Sequence, residues 1–269
     1  MPPAAPAPVS LLRAAHGGPA LAVTVLGALL ATSARLPLER GVLVVLAVLV
    51  GQLSVGWSND LVDVRRDRQV GRQDKPLVTG DLAETTLRTA CALAVVATVV
   101  LSLACGWAAG LVHLALVAVA WAYNLGLKAT AWSALPFAFS FGGLPVFVWL
   151  ADSPGRLPPV WLPLAAGMLG VAAHLMNALP DLAEDAVTGV RGLPHRLGAT
   201  ASTVVTVLVL LAATVTMTWG SSAAATLWVP ALVVVGGLAA ATVLSPPATR
   251  FRVVVVIALV DAVLLVVSS

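Results

Sequence analysis

Long apolar stretches cover most of this 269-residue chain, and they leave few folds open to it. A helix needs about 20 apolar residues to cross the hydrocarbon core of a bilayer. Nine stretches approach that length, at about residues 19–36, 41–58, 86–105, 108–126, 132–150, 158–179, 202–219, 224–244 and 252–268. The sequence therefore predicts an all-α, polytopic membrane protein with about nine transmembrane helices in a single bundle.

The charged fraction supports this prediction. Only 10% of the residues are charged and 59% are hydrophobic, whereas about a quarter of a soluble domain is charged. Residues 1–18 begin with a Pro/Ala-rich run and are predicted to be a disordered N-terminal tail, followed by a membrane domain over residues 19–269. The two cysteines, Cys91 and Cys105, lie inside apolar stretches, so no disulfide or thiolate metal site is expected.

The basic residues predict an orientation in the membrane. If the N-terminus lies in the cytoplasm, twelve of the fifteen Lys and Arg residues fall on that side. This asymmetry follows the positive-inside rule. The excess of Arg over Lys and the many Ala, Gly and Val residues suggest a GC-rich bacterial genome. We therefore expect a multi-pass protein of the bacterial inner membrane, with its active site facing the cytoplasm.

Two acidic motifs interrupt the apolar pattern. Each repeats Asn, Asp, Asp at positions i, i+4 and i+8; the residues are Asn59, Asp63 and Asp67 in the first motif and Asn177, Asp181 and Asp185 in the second. On a helix this spacing places three oxygen-bearing side chains on one face. A carboxylate is costly in lipid, so both clusters indicate function. The chemistry they suit is the binding of hard divalent cations.

Basic residues near the motifs indicate that the metal is bound together with a phosphate-bearing substrate. Magnesium usually binds through one or two carboxylates together with substrate phosphates, and Lys and Arg neutralise the remaining phosphate oxygens. The chain has no GxxxxGK[ST] loop for a soluble nucleotide. A diphosphate on a lipid tail fits better. Because both motifs are predicted at cytoplasmic ends of helices, we expect a central cavity opening to that side.

Four motifs in order resemble one known family. The run NDLVDVRRD, from Asn59 to Asp67, resembles the NDxxDxxxD motif of the UbiA-type intramembrane prenyltransferases. KPLVTG, from Lys75, resembles their KP(L/I)xxG segment, and YNLGLK, ending at Lys128, resembles their Tyr…Leu-Lys element. DLAED and the later GVRGLPHRLG resemble the second DxxxD motif and the segment after it. The chain departs from the pattern at Gly192, where many family members have a hydroxyl side chain.

The resemblance implies a set of site residues and a cofactor. The implied catalytic residues are Asn59, Asp60, Asp63, Asp67, Asp181 and Asp185. Of these, Asn59, Asp63 and Asp67 would hold one magnesium ion and Asp181 and Asp185 a second, so two or more ions are expected. The implied diphosphate-binding residues are Arg72, Tyr123, Lys128 and Arg191.

The resemblance also implies a reaction, with two versions left open. In the first, a prenyltransferase ionises an isoprenoid diphosphate and transfers the prenyl group to a lipophilic, aromatic acceptor. In the second, a terpene cyclase of the same family closes the isoprenoid on itself without an acceptor. The expected partners are the diphosphate substrate, the acceptor and membrane lipid, not nucleic acid. The sequence indicates neither the prenyl chain length nor the oligomeric state.

Other membrane functions fit the sequence less well. A transporter usually places ionisable residues near the midplane of the membrane, whereas these motifs are predicted at one face. The D-G-x2-A-R core of the CDP-alcohol phosphotransferases is absent. The roles of two further polar residues each have two interpretations. His174 either lines the cavity or is a buried, hydrogen-bonded histidine, and Asp261 is either protonated or paired with another helix.

Overall fold

The computed structural model describes residues 7–180, 182, 189–221, 225–244 and 247–268, and all regular structure in them is helical. The helices are α1 (Ala7–Ala14), α2 (Gly17–Ser33), α3 (Leu38–Val70), α4 (Pro76–Thr79), α5 (Glu84–Ala104), α6 (Trp107–Leu125), α7 (Leu135–Asp152), α8 (Trp161–Ala178), α9 (Leu193–Gly220), α10 (Ala225–Leu244) and α11 (Pro247–Ser268). A short 3-10 turn, Leu127–Ala129, precedes α7. The all-α prediction is confirmed.

Six helices in the described ranges are long and apolar enough to cross a membrane, namely α3, α5, α6, α7, α8 and α9. Helices α1 and α2 form a seventh span if they are counted together, with a bend of 78° between them. Each of the nine predicted stretches lies on a helix, and the count of nine transmembrane helices stays a prediction. The chain is already helical from Ala7, inside the segment predicted to be a disordered tail.

The helices group into two compact units, where the sequence predicts a single bundle. Unit 1 contains residues 1–125 and 150–155, and unit 2 contains residues 126–149 and 156–269. Hydropathy identifies apolar helices but does not encode which neighbours each one packs against.

Helix α3 is the central element of unit 1 and packs against α2, α5 and α6. Its 33 residues give a length of about 50 Å, whereas the hydrocarbon core is about 30 Å thick. Counted from Leu38, about 20 residues are enough to cross that core, so the acidic motif from Asn59 onward lies on the last turns of the helix. Gly71 ends α3 in the left-handed conformation, with φ 69°.

A polar seam joins α6 to α3 directly before the motif. The side-chain amide of Asn124 donates to the carbonyl oxygen of Val55 at 2.9 Å and to the hydroxyl of Ser58 at 2.7 Å. One turn earlier, the indole N–H of Trp121 donates to the hydroxyl of Ser54 at 3.3 Å. Such interhelical hydrogen bonds in membranes are worth about 0.6 kcal/mol each. The seam fixes the rotation of α3 where the motif begins.

An apolar cluster supports the other side of the motif. It consists of the buried residues Ala14, Val64, Leu77, Leu82 and Leu87, with Leu11, Trp57 and Leu61 packed against it. The indole N–H of Trp57 donates to the carbonyl oxygen of Leu11 at 2.9 Å. The N-terminal helix α1 and the short helix α4 are therefore attached to the end of α3.

Unit 2 is organised around α9, which packs against α8, α10 and α11. Asp261 of α11 is fully buried, and its Oδ1 accepts a hydrogen bond from the hydroxyl of Thr214 on α9 at 2.7 Å. Of the two interpretations of Asp261, the structure shows pairing with another helix. Because a carboxyl group in an apolar bundle needs a polar partner, this bond fixes the register of α11 on α9.

The close approach of α3 to the α1–α2 junction gives a first prediction. A Cβ atom on Gly56 would overlap the carbonyl oxygen of Ala15. Gly56→Ala therefore forces the backbone apart, and overpacking of this kind costs about 1–3 kcal/mol. We expect a clearly lower melting temperature of the detergent-solubilised protein. Gly236→Ala is the control, because nothing lies within 4 Å of a Cβ there; equal melting temperatures for the two variants would contradict the prediction.

Candidate active site

The first acidic motif forms a buried polar face at the end of α3. Asp60, Asp63 and Asp67 are only 2%, 5% and 3% exposed, and Asn59 is half-buried. The i, i+3, i+4 and i+7 spacing of a helix places these side chains along one side. Three shielded carboxylates on consecutive turns repel one another, so each requires a positive partner.

Asp60 receives its partner from a distant part of the sequence. The ammonium group of Lys75 donates to Asp60 Oδ1 at 2.6 Å, and Lys75 is itself buried. His16 Nε2 lies 2.8 Å from Lys75 Nζ and 3.0 Å from Asp60 Oδ1. The side-chain amide of Asn59 is 3.3 Å from the same nitrogen. His16 Nε2 thus lies within hydrogen-bond distance of both members of the Lys75–Asp60 pair and of the Asn59 amide.

The local backbone positions both partners of Asp60, namely His16 and Lys75. His16 precedes α2 in the left-handed conformation, with φ 52° and ψ 54°, which costs an ordinary residue about 1 kcal/mol. Lys75 directly precedes α4, where Pro76 occupies the first helical position. The sequence analysis missed His16 and Lys75 as site residues. The family-like KPLVTG segment could have indicated a site role for Lys75. No motif in the sequence around His16 indicated one for that residue.

Asp63 and Asp67 share a second positive partner. The Arg66 guanidinium lies 3.0 Å from Asp63 Oδ2 and 3.7 Å from Asp67 Oδ1. Both carboxylates therefore point toward one common region of positive charge. Two converging carboxylates with an Asn oxygen nearby are a suitable donor set for magnesium, which takes one or two carboxylates and completes its shell with phosphate oxygens and water. In the described part of the chain, no three His, Cys, Asp or Glu side chains form a metal cluster on their own.

Arg72 lies in the turn after α3 and is engaged locally. Its Nε and one terminal nitrogen donate to the two oxygens of Asp74 at 2.8 and 2.9 Å. This two-bond pairing lowers the pKa of Asp74 to about 2. The structure thus places Arg72 close behind the motif, held by a carboxylate of its own turn.

The other predicted diphosphate-binding residues lie near backbone turns. Tyr123 is half-buried in the last turn of α6, Lys128 is half-buried in the 3-10 turn, and Arg191 is exposed just before α9. Within unit 2, a Cβ on Gly192 would lie 2.6 Å from the carbonyl oxygen of Lys128. The backbones beside Arg191 and at Lys128 therefore touch, which explains the glycine at position 192. Asp181 and Asp185 lie outside the described residues.

His174 is buried and hydrogen-bonded, as one of its two interpretations has it. Its Nε2 lies 2.9 Å from the hydroxyl of Ser133, and its ring centroid is 4.8 Å from that of Phe137. Only 3% of His174 is exposed.

The UbiA prenyltransferase family matches residues 20–251 of this chain, which is most of its length. The chain belongs to that family. The matched range includes the α3 motif, Lys75, the 3-10 turn and the segment before α9. Each of these four lies at or next to the end of a helix.

Solved structures with the UbiA fold resemble this chain over nearly its whole length. A digeranylgeranylglyceryl phosphate synthase has 15% identity and a TM-score of 0.73, with 96% of this chain and 97% of that chain covered. A UbiA homologue from Aeropyrum pernix K1 has 16% identity and a TM-score of 0.70, with 98% of both chains covered. A UbiA homologue from Archaeoglobus fulgidus, bound to DMAPP and Mg²⁺, has 15% identity and a TM-score of 0.72, with 95% and 97% covered. No curated protein matches the chain.

The buried Lys75–Asp60 pair generates a second prediction. Lys75→Met leaves the Asp60 carboxylate shielded without its cation, which costs about 3 kcal/mol. Adding Asp60→Asn to the Lys75→Met variant removes the negative charge of Asp60. The double variant should therefore recover part of the lost stability. Melting temperatures of the two single variants and the double variant in detergent form the cycle. Strictly additive effects would contradict direct coupling between the two side chains.

Proposed function

We propose that this protein is a magnesium-dependent intramembrane prenyltransferase. It ionises an isoprenoid diphosphate and transfers the prenyl group to a lipophilic, aromatic acceptor. The observation that carries the proposal is the convergence of Asp63 and Asp67, both shielded from water, on one positively charged group at the end of an apolar helix. Membership of the UbiA prenyltransferase family supports the reaction class, as do homologue structures bound to DMAPP or GPP with Mg²⁺.

The residues divide into metal ligands and phosphate ligands. Asn59, Asp63 and Asp67 would hold one magnesium ion, and Asp181 and Asp185 would hold another. When bound, the ions neutralise the negative charge that builds up on the departing diphosphate. Lys128, Arg191, Arg72 and Tyr123 bind diphosphate oxygens that the ions leave free. Asp60 holds the ammonium group of Lys75 in place, at 2.6 Å, where it faces the same polar end of α3.

The chemistry requires charge stabilisation at one end of the substrate only. The allylic C–O bond breaks, and both bonding electrons leave with the diphosphate oxygen. The resulting allylic cation is attacked by the π electrons of the acceptor, which forms a carbon–carbon bond and then loses a proton. Cations fixed in place before the reaction stabilise the leaving group without the cost of reorienting solvent. The apolar side chains of the helices protect the cation from water.

We also propose that the motifs lie on the cytoplasmic side of a bacterial inner membrane. Twelve of the fifteen basic residues fall on one side under this orientation.

A product assay separates transfer from cyclisation. The purified protein is incubated in detergent with magnesium and with C10, C15 or C20 isoprenoid diphosphates, first without and then with a quinone precursor or a phenol. We expect pyrophosphate release only in the presence of an acceptor, together with a prenylated ring product. A magnesium-dependent cyclic hydrocarbon or alcohol formed without acceptor identifies a terpene cyclase instead. The diphosphate that is consumed gives the chain length.

A third prediction concerns the metal ligands. Asp63→Asn keeps the shape of the side chain but removes its charge, and the rate of pyrophosphate release should fall by about 10²–10³-fold, in the range found when one stabilising group is removed. Glu39→Gln is the matched control, because Glu39 is an exposed carboxylate in the first turn of the same helix. Wild-type rates in Asp63→Asn would rule out the proposed ligand role. Both variants should keep the melting temperature within a few degrees.

A fourth prediction distinguishes a phosphate ligand from an acceptor-pocket residue. Lys128→Ala removes a charged donor but leaves the Lys128 carbonyl oxygen against Gly192. We expect the KM for the isoprenoid diphosphate to rise about tenfold, since a hydrogen bond to a charged group contributes about 1.5–3 kcal/mol, while the product stays the same. A changed product with an unchanged KM would assign Lys128 to the acceptor pocket.

A further inference from the structure

A single hydroxyl group connects three separate segments of unit 2. Ser133, fully buried in the turn before α7, accepts a hydrogen bond from the backbone N–H of Leu193 at 2.8 Å. The same oxygen lies 2.9 Å from Nε2 of His174 on α8. The hydroxyl can hold both partners at once, because it has two acceptor lone pairs and one hydrogen to donate. We refer to Ser133, His174 and Leu193 as the Ser133 cluster.

The position of the cluster in the sequence gives it a function beyond packing. His174 and Leu193 flank the stretch that carries Asn177, Asp181, Asp185 and Arg191. Both flanks of that stretch are attached to the same oxygen atom. The Ser133 cluster therefore fixes where the chain leaves α8 toward the second acidic motif and where it returns after Arg191.

A second contact places the returning segment against Lys128. A Cβ atom on Gly192 would lie 2.6 Å from the Lys128 carbonyl oxygen and 2.9 Å from Ser133 Oγ. Such a gap is too small for any side chain, so the backbone next to Arg191 is held in direct contact with the turn that carries Lys128. Ser133 follows Lys128 by five residues and its own N–H donates to the Thr130 carbonyl oxygen at 3.2 Å.

We propose that Ser133 and His174 are positioning residues for diphosphate binding. Their hydrogen bonds bring Arg191 and Lys128 to neighbouring backbone positions and fix both ends of the stretch that carries Asp181 and Asp185. Neither Ser133 nor His174 touches the substrate. This inference rests on the proposed function, since it concerns how the same site holds its phosphate ligands.

The test measures binding of magnesium pyrophosphate, a tail-free ligand, by titration calorimetry on the detergent-solubilised full chain. Ser133→Ala leaves the Leu193 N–H and His174 Nε2 without their common partner. We expect the Kd of magnesium pyrophosphate and the KM of the isoprenoid diphosphate each to rise about tenfold, with kcat changed less. Thr206→Val is the matched control, because the Thr206 hydroxyl is equally buried but donates only to the carbonyl oxygen of Ser202 in its own helix. Its Kd and KM should stay within twofold of wild type.

A purely structural role gives a different result. If Ser133→Ala lowers the melting temperature but leaves both Kd and KM at wild-type values, the inference is overturned. Ser133→Thr retains the hydroxyl and should restore Kd and KM toward wild type. Failure of that rescue in a folded protein also counts against the inference.

A second variant covers the case in which Ser133→Ala does not fold. Gly192→Ala keeps both side chains of the Ser133 cluster but pushes the Arg191 segment away from the Lys128 carbonyl oxygen and from Ser133 Oγ, so Kd and KM should again rise about tenfold. Unchanged values overturn the inference. Failure of the proposed function is seen separately, because the wild-type protein would then release no pyrophosphate from any isoprenoid diphosphate.

Discussion

Asp60, Asp63 and Asp67 lie on a helix that is otherwise apolar, and each is almost fully shielded from water. Burying carboxylates so close together is unfavourable unless positive groups neutralise them. Lys75 and Arg66 do this in the structure, through contacts of 2.6 to 3.7 Å. The need for neutralisation explains why α4 and the residues before α2 are attached to this end of α3.

The polar groups around α3 are held by neighbours that carry no charge. Asn124 and Trp121 bond to α3 in the two turns before the motif, and the apolar cluster around Val64 and Leu77 packs behind it. Fixed side chains lose less entropy when a ligand binds, so such support favours binding. In unit 2 the Ser133 cluster plays the corresponding part for Lys128 and Arg191.

Much of this architecture followed from the sequence, for physical reasons. A backbone in lipid must satisfy its own hydrogen bonds, so apolar stretches predicted helices, and each of the nine stretches lies on one. The i, i+4 spacing correctly predicted that Asp63 and Asp67 share a face. His16 and Ser133 were missed because their partners are 44 and 41 residues away, at Asp60 and His174. Such contacts depend on how helices pack, which hydropathy does not encode.

The 78° bend between α1 and α2 has a consequence for handling the protein. Helix α1 bonds to Trp57 through the Leu11 carbonyl oxygen, and Arg13 lies 3.6 Å from Asp81. His16, which follows directly, contacts Asp60. Expression with residues before Gly17 removed, or with a rigid fusion partner joined at Ala7, would therefore disturb the acidic motif of α3 even though that motif begins more than 40 positions later. An affinity tag is better placed away from the amino end.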